Sequence, residues 1–147
     1  MGLFDSMFGG SSANKTLSKQ EAFAGILLAA AAADGHIADE EAVGLWSTIE
    51  RMKMFQNYTP DKFNQMMGAL VKILKRDGVD KLVDKAVESV PTELRETAFA
   101  NACNIVLADG VVEDEEKALI EKLQVKLGIS GDQAIDIVRV MVIKNKG

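Results

Sequence analysis

A nine-residue pattern occurs twice in the chain, and this repeat constrains the fold more than any other feature. It spans residues 33–41, Ala-Asp-Gly-His-Ile-Ala-Asp-Glu-Glu, and residues 108–116, Ala-Asp-Gly-Val-Val-Glu-Asp-Glu-Glu. Asp34 and Asp109, which are equivalent in the two copies, lie 75 positions apart. A repeat this long that is used only twice predicts two similar halves packed against each other, and argues against an open solenoid.

Helix-start and helix-stop signals divide the chain into about seven helices. Ser18 followed by Glu21 has the form of a capping box, and Pro60 suits the first position of a helix. Asp-Gly pairs and Gly128 mark helix ends, and no segment has the pattern of a strand. The helices are expected at about 18–33, 39–52, 60–76, 79–89, 91–108, 114–127 and 131–143. The prediction is an all-α fold of two pseudo-symmetric three-helix halves joined by the short fourth helix.

Length and composition predict one folded domain with an added arm. The chain has 147 residues, of which 48% are hydrophobic and 5% aromatic, so aliphatic side chains must fill the core. Residues 1–15 contain an apolar patch of Leu3, Phe4, Met7 and Phe8 followed by a Gly-Ser stretch, which predicts a flexible N-terminal arm outside the core. Residues 16–147 are predicted to form a single helical domain.

The net charge argues against one class of partner, and the cysteine content indicates a cellular compartment. The net charge is −5 and the pI about 4.9, which argues against nucleic acid as a partner because phosphate binding needs a basic face. Cys103 is the single cysteine, so no intrachain disulfide can form, and a cytoplasmic location is expected. The apolar stretch 22–33 is too short to span a bilayer, so membrane contact is limited to peripheral contact of the arm at the inner face.

Each part of the repeated turn has a physical role. Gly35 and Gly110 suit the left-handed position that ends a helix. The acids that follow fall in the first turn of a new helix, where the helix dipole favours negative charge, so helix capping explains them singly. Asp34 and Asp109 are different, because they lie at the carboxyl ends of their helices, where the dipole disfavours a carboxylate. Such a conflict, present twice, is typical of a functional site.

The turns match the second half of an EF-hand calcium loop. That half has a ligand before the glycine, an aliphatic residue two positions after it and a Glu six positions after it, as in Asp34 with Glu41 and Asp109 with Glu116. Neither turn alone has enough ligands, so these four carboxylates are predicted to form one shared metal site. Oxygen ligands favour calcium first, then magnesium or manganese, with zinc last. The alternative is that the acids only cap their helices.

The chain resembles the TerB family of bacterial tellurite resistance proteins over about residues 17 to 143. The resemblance lies in the paired Asp-Gly turns and is closest over residues 106–117, continuing to Gly128. The resemblance implies a seven-helix fold, acidic residues that bind divalent cations and a role in resistance to tellurite and other stresses. It implies no known catalytic activity. Other stress-response proteins are the expected partners. Where Ser or a similar cap is more usual in the family, this chain has Ala38, and Glu113 is likewise a poor cap.

Other residues are expected to be structural. His36 has no histidine counterpart in the second turn, and zinc normally needs several His or Cys ligands. Cys103 and a set of aromatic and methionine residues at helical spacing are expected in the core. The functions to distinguish are a cation-binding accessory or signalling module, a metal-independent interaction module and a metal-dependent hydrolase. The last is disfavoured because no nucleophile–base pair or phosphate loop is found. The aromatic and methionine set is Trp46, Met52, Phe63, Met66 and Met67.

Overall fold

The computed structural model describes residues 16–34, 37, 39–108 and 110–147, although not the side chains of 39–41 and 43. These residues form seven α-helices and two short 3-10 turns, with no strand among them, so the all-α prediction is confirmed. The α-helices are α1 (Lys19–Ala31), α2 (Asp39–Ile49), α3 (Pro60–Asp77), α4 (Val79–Val87), α5 (Arg95–Val106), α6 (Asp114–Lys126) and α7 (Gly131–Lys144).

Hydrogen bonds to capping side chains confirm three of the predicted helix starts, those of α1, α3 and α7. The Ser18 hydroxyl accepts from the Glu21 N–H at 3.1 Å, and Glu21 Oε1 accepts from the Ser18 N–H at 2.8 Å. Thr59 and Ser130 cap α3 and α7 through their hydroxyls, which accept from backbone N–H groups three residues later, at 3.1 and 3.2 Å. These bonds satisfy N–H groups that have no partner inside the helix.

Glycines end or separate the helices where the sequence predicts it. Gly78 lies between α3 and α4 with a φ of 91°, and Gly110 and Gly128 follow α5 and α6 with φ of 77° and 71°. A side chain would be strained at these left-handed angles, which explains the choice of glycine. The corresponding Gly35 of the first turn lies outside the described residues.

Two predicted boundaries differ from the observed ones by three and four residues, and both lie at 3-10 turns, whereas the others agree to within two residues. α2 ends at Ile49, short of 52, because the chain leads into the 3-10 turn Lys53–Phe55. The Phe55 ring is buried and anchors this turn, with its centroid 6.3 Å from that of Phe23. Pro91 is extended, with ψ of 147°, so a 3-10 turn over Thr92–Leu94 precedes α5, which begins at 95 and not 91.

Helix α1 lies at the centre of the domain. Every residue from Ala22 to Ala30 is buried, and the helix packs against α4 and α5 most extensively, and also against α2, α3 and α6. Small residues allow this close approach: a Cβ added at Gly25 would lie 3.5 Å from the Cβ of Ala86. In the part of the chain that the structure describes, no helix is both long and apolar enough to cross a bilayer.

The contacts in the two halves correspond in part. The contacts of α1 with α2 and α3 have counterparts in those of α5 with α6 and α7, whereas α2 packs on α3 more closely than α6 does on α7. The two-fold relation of the halves therefore stays a prediction. The predicted arm, residues 1–15, lies outside the described residues, and its separation from the domain also stays a prediction.

Candidate functional site

Three separate parts of the chain line one groove. They are the turn after α1, the junction between α3 and α4, and the first half of α6, and the groove has a volume of about 590 Å³. Four carboxylates lie along it, and we call it the acidic groove. Asp34 of the first copy of the repeat and Glu115 of the second copy both line it. Its lining residues are Ala33, Asp34, Asp77, Gly78, Val79, Asp80, Glu115, Ala118, Leu119 and Lys122.

The structure describes the side chains of two of the four predicted metal ligands, Asp34 and Glu116, and they have different surroundings. Asp34 is exposed and lines the acidic groove. Glu116 is half-buried, and its Oε1 accepts a hydrogen bond of 2.8 Å from the Glu113 N–H at the start of α6. Asp109 and the side chain of Glu41 lie outside the described residues, as does His36. The shared four-carboxylate site therefore stays a prediction.

The start of α6 shows what the acids of the second repeat do locally. Glu113 is the N-cap residue, and three further acids, at positions 114–116, occupy the first turn. The helix dipole favours negative charge there. The Glu116 side chain also accepts a hydrogen bond from the backbone N–H of Glu113. This bond stabilises the start of α6 as one half of a capping box does. This geometry is the one expected of helix capping.

Two acidic residues of the groove were missed by sequence reasoning. Asp77 ends α3 and Asp80 lies in the first turn of α4. Asp77 and Gly78 form a third Asp-Gly pair, which was interpreted only as a helix break. Its likeness to the two repeated turns was the available signal, but only the tertiary packing brings it to the same groove as Asp34.

Basic side chains neutralise part of this acidic surface. Arg76 Nη2 lies 2.9 Å from Asp77 Oδ2, and this hydrogen bond lowers the pKa of the Asp77 carboxyl below its ordinary value. Lys122 Nζ lies 3.2 Å from Asp80 Oδ1 and 3.3 Å from Asp84 Oδ1. Lys122 lines the groove itself, so one positively charged ammonium group lies among the four carboxylates of the groove.

Among the described residues 16–34, 37, 39–108 and 110–147, no three His, Cys, Asp or Glu side chains lie close enough together to hold a metal ion. Of the predicted ligands with described side chains, Asp34 lines the acidic groove and Glu116 does not, whereas Glu115 of the second repeat lines it.

The remaining candidates have structural positions. Cys103 is buried, and burial raises the pKa of its thiol to about 12, so the reactive thiolate is suppressed at neutral pH. Phe63, Met66 and Met67 are buried as predicted, while Trp46 is half-buried and its ring lies 5.1 Å from that of Phe63.

Comparison with known proteins agrees with the fold and the paired turns. The family model described as tellurite resistance protein TerB matches residues 20–139, which is most of the chain and includes all the described residues of the acidic groove. Searches of the curated proteins and of the solved structures gave no significant match. Because the match covers more than half of the 147 residues, the chain belongs to the TerB family.

Proposed function

We propose that this protein is a non-enzymatic, divalent-cation-binding accessory or signalling module of a bacterial tellurite or chemical stress response. The observation that carries the proposal is the acidic groove, which Asp34 of the first turn and Glu115 of the second repeat both line. Membership of the TerB family supports the link to tellurite resistance.

The proposed cation site uses the two Asp-Gly turns together. Asp34 and Asp109, with Glu41 and Glu116, would supply oxygen ligands from both repeats. Carboxylates held together repel one another unless a proton or a cation lies between them. Calcium is the expected ion, followed by magnesium or manganese, because hard cations prefer oxygen ligands and zinc prefers nitrogen and sulfur. Cation binding would then change the surface that a stress-response partner recognises.

A titration tests the cation site in solution. A ligand that binds only the folded state raises the thermal midpoint, by roughly 5 to 10 °C at a free concentration 100 times its dissociation constant. The midpoint and Trp46 fluorescence should respond to calcium in the wild type and not in the double variant Asp34→Asn/Asp109→Asn. The control Glu50→Gln/Glu88→Gln removes two exposed acids elsewhere and should respond like the wild type. Equal responses of the wild type and the double variant, or no response of either, would refute the proposed site.

A second candidate is a metal-independent interaction module in which the acids cap helices and present a negative surface. The hydrogen bond from the Glu113 N–H to Glu116 favours it. Glu116→Gln separates the two candidates, because glutamine keeps an acceptor oxygen but loses the charge. If Glu116 only caps, this variant keeps the wild-type response to calcium, whereas Glu116→Ala lowers stability by about 1 kcal/mol. If Glu116 is a ligand, glutamine weakens the calcium response.

A further inference from the structure

The last helix, α7, leaves much of its apolar surface uncovered. Ala134 is its only buried residue. Six large hydrophobic residues are strongly exposed in the described chain, and four of them lie on this helix. A surface of this kind on a folded domain marks an interaction site. The four are Ile135, Val140, Val142 and Ile143, exposed by 56%, 55%, 49% and 67%.

An apolar groove of about 480 Å³ runs beside α7, between it and α6, with Phe99 of α5 also lining it. We call it the α7 groove. From α7 it is lined by Gly131, Ala134, Ile135, Val138 and Arg139. It lies apart from the acidic groove, with which it shares no residue. The inference below therefore does not rest on the proposed function.

The groove side of α7 has the spacing of a helix–helix seam. Gly131, Ile135, Val138 and Val142 are separated by four, three and four residues. This alternation places them on one stripe of the helix and is the heptad spacing by which two helices pack together. Val138 is half-buried, whereas Ile135 and Val142 are about half exposed, so the described chain covers this stripe only in part.

The charges of α7 identify what fits this stripe. Asp132 and Arg139 each follow a stripe residue by one position, so both flank the stripe on the same side, and Arg139 Nη1 also lies 3.7 Å from Asp136 Oδ1 of its own helix. A second α7 in antiparallel orientation, with Ile135 of each helix opposite Val138 of the other, places Asp132 of one copy beside Arg139 of the other. A parallel arrangement would place the acidic first turns of the two helices together. Antiparallel pairing also opposes the two helix dipoles.

We propose that two copies of this chain associate through α7, packed antiparallel about a two-fold axis, with the stripe of each helix in the α7 groove of the other. Such an interface is isologous, because the same patch serves both copies. α7 has 14 residues, so it is about 21 Å long. The contact is therefore small, and the dimer is a reversible one with a dissociation constant on the order of 10 to 100 µM.

Sedimentation velocity of the full chain from 1 to 500 µM tests the dimer. The wild type should pass from monomer to dimer over this range. Ile135→Ser/Val142→Ser should weaken the association at least tenfold with little change in thermal midpoint, because both side chains are largely exposed. Phe4→Ser/Phe8→Ser, in the N-terminal arm, should leave the dissociation constant unchanged. A wild type that stays monomeric at 500 µM overturns the proposal. So does a dimer that survives the α7 substitutions or is lost on changing the arm.

A charge swap tests the antiparallel orientation. The basic variant Asp132→Lys/Asp136→Lys and the acidic variant Arg139→Glu/Lys144→Glu/Lys146→Glu should each remain monomeric, since like charges would meet. An equimolar mixture of the two should form a heterodimer at least as tight as the wild-type dimer. Lys72→Glu/Lys75→Glu changes charge on α3 and should dimerise normally. If the mixture associates no better than either variant alone, the antiparallel arrangement is wrong.

Discussion

The pair α2 and α3 and the pair α6 and α7 correspond in the predicted repeat, yet when each helix is counted from its own start only the first pair has aromatic rings at its contact. Trp46 is the eighth residue of α2, and the eighth residue of α6 is Glu121. Phe63 lies four residues after the cap of α3, and Ala134 lies four residues after the cap of α7. The aromatic pair of the first half, with ring centroids 5.1 Å apart, thus corresponds to a glutamate and an alanine in the second.

The difference shows that one helix plan can give two kinds of contact between its helices. Phe63 is 1% exposed and packs between its helix and α2, where its ring contacts Trp46. Glu121 and Ala134 both line the open α7 groove of about 480 Å³. An alanine cannot reach as far as a phenylalanine, so the second half lacks a counterpart of the ring contact that joins α2 and α3.

The largest expected effect is at the aromatic pair. Phe63→Ala removes a fully buried ring that contacts Trp46, so the free energy of unfolding should fall by about 3–5 kcal/mol in urea denaturation. Ile135→Ala in α7 provides the comparison. That side chain is 56% exposed, and its loss should cost the monomer below about 1 kcal/mol. Similar losses for the two variants would mean that α7 belongs to the core as fully as α3.

The helix caps sharpen the comparison, because here the two halves are alike. Thr59 and Ser130 accept N–H hydrogen bonds of nearly equal length, 3.1 and 3.2 Å. Thr59→Ala and Ser130→Ala should each cost about 1 kcal/mol. Hydrogen exchange should show amide protection falling in the first turn of the affected helix. If Ser130→Ala has no effect while Thr59→Ala does, the start of α7 frays already in the wild type.

Sequence alone predicted the local parts of this fold well. The capping box at Ser18, the caps of α3 and α7 and the glycine stops all depend on neighbouring residues, so their signals lie within a few positions. The 3-10 turn Lys53–Phe55 was missed because a distant contact, of Phe55 with Phe23, holds it. A short apolar run does not reveal which side chain of another helix it will meet.

The candidate site was predicted less completely for the same reason. The repeat identified Asp34, which lies in the acidic groove, but it favoured Glu116 over its neighbour Glu115. Glu115 lines the groove, whereas Glu116 bonds the backbone at the start of its own helix. Asp77 and Asp80 join the groove from a different part of the chain. The repeated turn shows which acidic residues are candidates, but the packing of the helices determines which of them line the same groove.

The smallest expected effect concerns the ion pairs that join α6 to α4. Lys122 and Lys126 each lie 3.3 Å from Asp84 Oδ1. Desolvation raises the pKa of the Asp84 carboxyl, but the hydrogen bonds from the two lysines outweigh it, so the pKa is lowered from the ordinary value of 3.8. Because the folded pKa lies below the unfolded one, this stabilisation is present above pH 3.8 and is lost as the pH falls through the lowered value.

Lys122→Met should therefore lower the free energy of unfolding at pH 7 by about 0.5 kcal/mol, a small value because the Asp84 side chain is 45% exposed. The difference from the wild type should shrink as the pH falls below 3.8, where Asp84 becomes protonated. Lys117→Met, which removes the same charge from α6 nearer its start, serves as the matched control and should show a weaker pH dependence. If the loss in Lys122→Met is constant from pH 7 to pH 3, packing of the lysine stem, and not its charge, joins α6 to α4.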